Sequence, residues 1–244
     1  MTTVEHVLQS TKSLSDRMNG LTFAPPVTHV YNPLVYAWLP QAEYIKLGAT
    51  GPRRVLFMGM NPGPWGMAQV GVPFGEVAHT RDWLGIDAPV DRPANEHPKR
   101  PIEGFACTRS EVSGRRLWGF FAERFGKPEA FFEEHFIINY CPLVFMEESG
   151  RNRTPDKLPA AEQKPLFDAC DAHLREMVDI LTPEWIVGVG AFAANKCRLL
   201  FAQDIESGRL NVGQILHPSP ASPAANRDWA GTALKQLLAQ GIWQ

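Results

Sequence analysis

Apolar residues fall along this chain in two kinds of run. Val55-Leu56-Phe57-Met58, Phe136-Ile137-Ile138, Trp185–Val189 and the stretch near 210–216 have little or no polar alternation. Such runs are strands buried on both faces. Between them apolar positions recur at helical spacing. Residues 1–18 carry Val4, Val7, Leu8, Leu14 and Met18 among polar neighbours. A second helix is expected over about 33–47, and a short one near 81–84. Ser113 is the expected N-cap of a helix through Leu117, Phe120 and Phe121 that stops at Gly126, and a further helical turn follows Pro128. Longer helices are expected over 159–181, with Pro165 in the first turns, and over 192–201. Ser222 followed by Pro223 opens a last helix to about 238. Residues 87–109 and 149–155 read as loops, the second one basic. Strands alternating with helices predict an α/β fold with a mostly parallel sheet covered on both faces.

The stretch after the first strand is unusual. Gly59, Gly63, Gly66, Gly71 and Gly75 alternate with Pro62, Pro64 and Pro73, and Asn61, Trp65, Met67, Gln69 and Phe74 are set among them. Glycine permits close backbone approach and proline stiffens. Well-packed turn chemistry explains the glycines and prolines. It leaves Asn61 at the strand mouth and Phe74 in a glycine-flanked segment without a purpose. In open α/β sheets ligands bind beyond the carboxyl ends of the strands. There the other strands deliver Asn139, residues 188–192 and His217-Pro218-Ser219-Pro220. Each residue alone has an ordinary reading as a turn or cap. Four converging strand ends point to a site.

Residues 188–193 also fit G-x-G-x-x-A between a strand and a helix. The next strand ends at His217 and not at an acidic ribose partner, so a nucleotide-binding α/β enzyme stands as the alternative. No G-x-S-x-G, Walker lysine or H-E-x-x-H is present.

Composition narrows the picture modestly. With 244 residues and no evident repeat or linker, residues 1–244 read as a single domain. The net charge of −2 gives no global attraction to polyanions, so any such contact needs a local patch. Lys99, Arg100, Arg151, Arg153 and Arg227 flank the candidate segments. No apolar run is long enough to span a membrane, and the N-terminus lacks the apolar core of a secretory signal. Cys107, Cys141, Cys170 and Cys197 form no C-x-x-C pair and read as reduced, mostly buried thiols. A cytoplasmic setting is expected, at the nucleoid in a bacterium or nuclear in a eukaryote.

G-M-N-P-G-P at 59–64 with its continuation W-G-M-A-Q-V-G-V-P-F-G-E-V, N-Y-C-P-L at 139–143, S-G-R-N at 149–152 and H-P-S-P at 217–220 resemble the single-strand-selective monofunctional uracil-DNA glycosylases. The resemblance covers about residues 30–240. It implies a three-layer α/β/α sandwich around a four-stranded parallel sheet. It implies hydrolysis of the N-glycosidic bond of uracil and oxidised uracils, such as 5-hydroxymethyluracil, in single- and double-stranded DNA. It implies no metal, no cofactor and no lyase step, and action as a monomer in base excision repair. Carried over by position, Asn61 orients the attacking water and His217 donates to uracil O2. Asn139 reads the base edge, Phe74 stacks on it, and Gly63 and Met67 wall C5. Ser219, Pro220, Ala221 and Ser222 resemble the wedge that enters DNA, with Arg151 and Arg227 as phosphate contacts. Relatives often carry arginine where this chain has Ala221, and often phenylalanine where it has Trp65. A damaged-DNA binding module without catalysis is the third reading.

Overall fold

The computed structural model describes residues 1–244. The chain opens with α1 (Thr3–Asn19), whose Thr2 and Glu5 form a reciprocal capping box. It continues through β1 (Val27–Tyr31), α2 (Pro33–Tyr36) and α3 (Trp38–Gly48) to β2 (Val55–Gly59). The short α4 (Met67–Val70) lies within the glycine-rich segment. There follow α5 (Val112–Phe125), α6 (Pro128–Phe132), β3 (His135–Asn139), β4 (Val144–Glu147) and β5 (Asn152–Arg153). The last third holds α7 (Ala160–Leu181), β6 (Trp185–Val189), α8 (Ala191–Leu200), α9 (Ala202–Glu206), β7 (Asn211–Ile215) and α10 (Pro223–Ala239).

The four apolar runs form one parallel sheet in the order β3-β2-β6-β7. Every residue of β2 and β3 is buried, as unbroken apolar runs require. Phe57 packs on Phe121 of α5 and on Trp243. Gly188, one register step on and so on the opposite face, lies against Ala194 of α8. The central layer is thus covered on both sides, the α/β arrangement expected from the sequence. All four cysteines are free and buried. No helix is long and apolar enough to cross a membrane.

Several local expectations need correction. The 33–47 helix is two helices, broken at Ala37, whose backbone leaves the helical region. The turn near 81–84 is π-helical over His79–Trp83. Helix α5 has Glu111, not Ser113, at its N-cap, so Ser113 sits inside the first turn. The 149–155 segment is not wholly a loop, because β5 pairs antiparallel with β4, which pairs with β1. This second, three-stranded sheet was not expected. Pro165 and the Ser222 cap sit where the sequence puts them.

Candidate active site

The carboxyl ends of the parallel strands open on a cavity of about 330 Å³. Asn61, Gly63, Met67, Phe74, Asn139, His217 and Ser219 all line it. Three segments distant in sequence thereby meet at one cavity, because parallel strands deliver their following loops to the same edge.

Asn61 is fixed by its amide. Nδ2 donates to the carbonyl of Pro62 at 3.3 Å and to that of Leu143 at 3.2 Å. With the nitrogen so committed, Oδ1 is the end left to accept a proton from a ligand or a water. The Leu143 contact joins the loop after β2 to the loop after β3.

His217 is fixed as a tautomer. The backbone N–H of Ser219 donates to Nδ1 at 3.1 Å. Nδ1 is therefore unprotonated and Nε2 carries the hydrogen. Burial lowers its pKa below the ordinary histidine value. The ring is a neutral donor at the cavity wall.

Asn139 is 8% exposed, and the one hydrogen-bond partner of its side chain within the protein is the Met67 sulfur, 3.2 Å from Nδ2. A thioether is a weak acceptor. Buried amides are normally well satisfied. This one lines the cavity with Oδ1 and one amide hydrogen unused within the protein, available to a ligand that offers a donor beside an acceptor.

Phe74 lies in the left-handed region at φ 54°, a conformation unusual for a bulky residue. The strain is held from several sides. Trp118 Nε1 donates to the carbonyl of Pro73 at 3.1 Å. A Cβ at Gly59 would overlap the Phe74 ring, so only glycine lets the ring lie across the end of β2. Its centroid is 6.2 Å from that of His217. Held strain of this kind is a mark of functional segments.

The 219–222 segment stands beside the cavity. Ala221 N–H donates to Ser219 Oγ at 3.1 Å, and Ser222 caps α10 through Ala225 N–H at 3.3 Å. Arg116 of α5 secures it, donating to the carbonyls of Pro218 at 3.0 Å and Ser219 at 3.4 Å and to Asn226 Oδ1 at 2.9 Å. Asn226 in turn donates to the carbonyl of Pro220 at 2.8 Å. Pro220 and Ala221 are left exposed at the tip.

Among the flanking cations, Arg151 and Arg227 are exposed and line no part of the cavity. Arg153 is committed to Glu147 at 2.9 Å, and Arg100 donates to the carbonyl of Gly150 at 2.9 Å.

Sequence reading missed Glu111, Asn152 and Thr154 as lining residues, and Arg116 as a tether. Burial raises the Glu111 pKa, against the pull of the Trp65 and Ser113 backbone N–H groups. An acidic residue just ahead of an amphipathic helix was its available signal. Asn152 begins β5 of the unexpected sheet and Thr154 follows that strand; the S-G-R-N motif marked Asn152 but not its place on the cavity wall, and Thr154 carried no signal.

The glycines of residues 188–193 are accounted for by packing. A Cβ on Gly188 would overlap Ala194, and Gly190, at φ 94°, backs onto the His217 ring. The turn supports the histidine.

The model of the uracil DNA glycosylase superfamily matches residues 45–239. A Bos taurus protein named single-strand selective monofunctional uracil DNA glycosylase is 47% identical over 238 residues, spanning 98% of this chain and 87% of its own. A Mus musculus protein of the same name is 46% identical, spanning 98% and 85%. The crystal structure of wild-type Pedobacter heparinus SMUG2 superposes with a TM-score of 0.69 over 100% of both chains at 18% identity, a likeness of fold. The matched span holds all four strands of the parallel sheet and every sequence-expected residue of the cavity, and on these grounds the chain belongs to the uracil DNA glycosylase superfamily, among the single-strand selective monofunctional uracil DNA glycosylases.

Proposed function

We propose that this protein is a monofunctional glycosylase that hydrolyses the N-glycosidic bond of uracil in DNA. The observation that carries the reading is the buried, under-satisfied amide of Asn139 beside a neutral histidine donor and a strained aromatic ring. Uracil offers O4 as acceptor next to N3–H as donor, which one amide matches. Cytosine offers the reverse, and a fixed amide would be left with unpaired buried groups, worth up to about 10⁴-fold in discrimination. Phe74 is the platform for the extruded base, with stacking worth about 1–3 kcal/mol.

Bond cleavage leaves positive charge on the sugar and negative charge on uracil O2. His217 Nε2–H donates to O2 as that charge grows, a contribution of about 10²–10³-fold for one such donor. Asn61 cannot ionise usefully, so it acts by holding water through Oδ1 against the cationic sugar, where little deprotonation is needed. The cleaved bond is C1′–N1. Its electron pair leaves with the base, the water oxygen forms the new bond at C1′, and the proton that the water loses neutralises the uracil anion. No lysine lines the cavity, so no Schiff base and no lyase step is expected. No three His, Cys, Asp or Glu side chains gather as a metal site, and the reaction is proposed to proceed without metal or cofactor.

The finer substrate range is proposed to include oxidised uracils such as 5-hydroxymethyluracil, with Gly63 and Met67 as the wall at C5. Both single- and double-stranded DNA are proposed substrates, for base excision repair by a monomer acting as one domain. Ser219, Pro220, Ala221 and Ser222 form the wedge, with Arg151 and Arg227 on phosphates. The test is base release from oligonucleotides carrying uracil, 5-hydroxymethyluracil, thymine or cytosine at one position, single- and double-stranded. Release of the first two alone is expected. Tight binding with every base retained would favour a binding module instead.

A further inference from the structure

The cavity and its proposed wedge leave the segment around Trp65 without a role. Trp65 follows Pro64 in the glycine-rich segment and precedes Gly66, which lines the cavity. Its indole is half-buried and carries two guanidinium groups, Arg109 at 4.4 Å and Arg100 at 5.0 Å from the ring centroid. The two arginines differ. Arg100 is tied to the carbonyls of Gly150 at 2.9 Å and Lys99 at 3.4 Å. Arg109 is exposed, and its guanidinium makes no hydrogen bond or ion pair within the chain. Lys99 and Arg151 are exposed near Arg100, where Gly150 lies against Lys99 and Arg100, and the hairpin bearing Arg151 continues to Asn152 and Thr154 on the cavity wall. The one carboxylate that lines the cavity is Glu111, set against Gly63.

We propose that Trp65 and Arg109 form a subsite for a nucleotide next to the one extruded into the cavity, selective for single-stranded DNA. The proposal rests on the glycosylase reading for what fills the cavity. A guanidinium held over an indole loses little freedom on binding, and with no partner in the chain it keeps its donors for a phosphate. The indole–guanidinium stack is also a flat surface for a base. Only a single strand offers an unpaired base face to such a stack, whereas duplex bases are already stacked on one another. Arg100, held by Gly150 and Lys99, is the fixed member that keeps the indole in place. Arg109 is the member free to engage the strand.

The test measures binding and turnover separately. Binding to a single-stranded thymine oligonucleotide, read by fluorescence anisotropy across a salt series, needs no catalysis. Arg109→Gln is expected to flatten the slope of log affinity against log salt by about 0.7, the loss of one phosphate contact on a single strand. Trp65→Ala is expected to weaken single-strand binding by roughly 5- to 150-fold, the loss of one stacked base, while Trp65→Phe retains most of it. With single-stranded uracil substrate, the loss should fall in the half-saturating concentration and not in the rate at saturation. Duplex binding should change less than single-strand binding.

An unchanged salt slope and affinity in both variants would show that this segment does not meet DNA. Equal weakening on duplex and single strand would overturn the selectivity. A fall in the saturating rate with binding intact would mean that the pair shapes the cavity instead. If the wild-type protein released no uracil, the glycosylase reading would fail, and the binding series would still decide whether this segment holds a strand.

Discussion

Asn61 and His217 are each committed to the backbone through one atom, which leaves one atom apiece for chemistry. For Asn61→Ala we expect a single-turnover rate on uracil lowered by at least about 10²-fold, the cost of a misplaced reacting group. Thermal stability and DNA binding should stay near normal, and a rate within a few-fold of wild type would remove its role in holding water. For His217 the pH dependence has a definite sign. Burial places its folded pKa below the unfolded 6.5, so the neutral ring persists through neutral pH. Protonation would set an Nδ1–H against the Ser219 N–H and disturb the loop on which the wedge is built. The rate–pH profile should be level around neutrality and fall on the acid side, below 6.5. An acid limb above that value would contradict the neutral-donor role.

At the scale of elements, the proposed wedge at 219–222 is held by its neighbours. Arg116 and Asn226 brace it from below, and Ala221 at its tip is small and uncharged. Extruding a base from duplex costs a few kcal/mol, whereas a single strand demands little. Ala221→Arg should therefore raise single-turnover activity on duplex uracil more than on single-stranded uracil at one salt concentration. An equal change on both would show that the tip does not limit extrusion. The parallel strands were legible in the sequence because burial on both faces leaves no polar residue in β2 and few in the others. Asn61, Asn139 and His217 were legible for the same reason, since each stands just beyond or at the end of such a run, and Phe74 was legible as a large side chain in a glycine-flanked segment. The sheet of β1, β4 and β5 was not. Strand β1 carries a register shift between Val27 and His29 that breaks its alternation, and β5 has two residues, too few to show any alternation. The cavity residues that hang on that sheet, Asn152 and Thr154, went unseen with it. Glu111 was hidden differently, because its helix was expected to start two residues later.

At the scale of the whole molecule, two buried histidines that do not line the active-site cavity govern its acid tolerance. His135 donates through Nδ1 to the carbonyl of Phe131 and accepts at Nε2 from Trp243 Nε1, 2.9 Å away. His173 meets Ser10 of α1 at 2.8 Å and so joins α1 to α7. Burial pushes both down to about 4 from the unfolded 6.5. Between those values the unfolded chain binds more protons, so their contribution is full above 6.5 and is lost as pH falls toward about 4. Tm should fall steeply over that window, and less steeply in His135→Gln and in His173→Gln than in the wild type. Parallel curves for all three proteins would assign the acid lability elsewhere. The central claim is the chemistry at the cavity, and one measurement tests it most directly. A labelled single-stranded oligonucleotide with one uracil is incubated with excess enzyme, and the released base and the strand are followed together. The account predicts free uracil, a strand that stays continuous until alkali breaks it at the abasic position, and no release from matched thymine or cytosine strands. Uracil retained on a bound strand, or a strand broken without alkali, would contradict it.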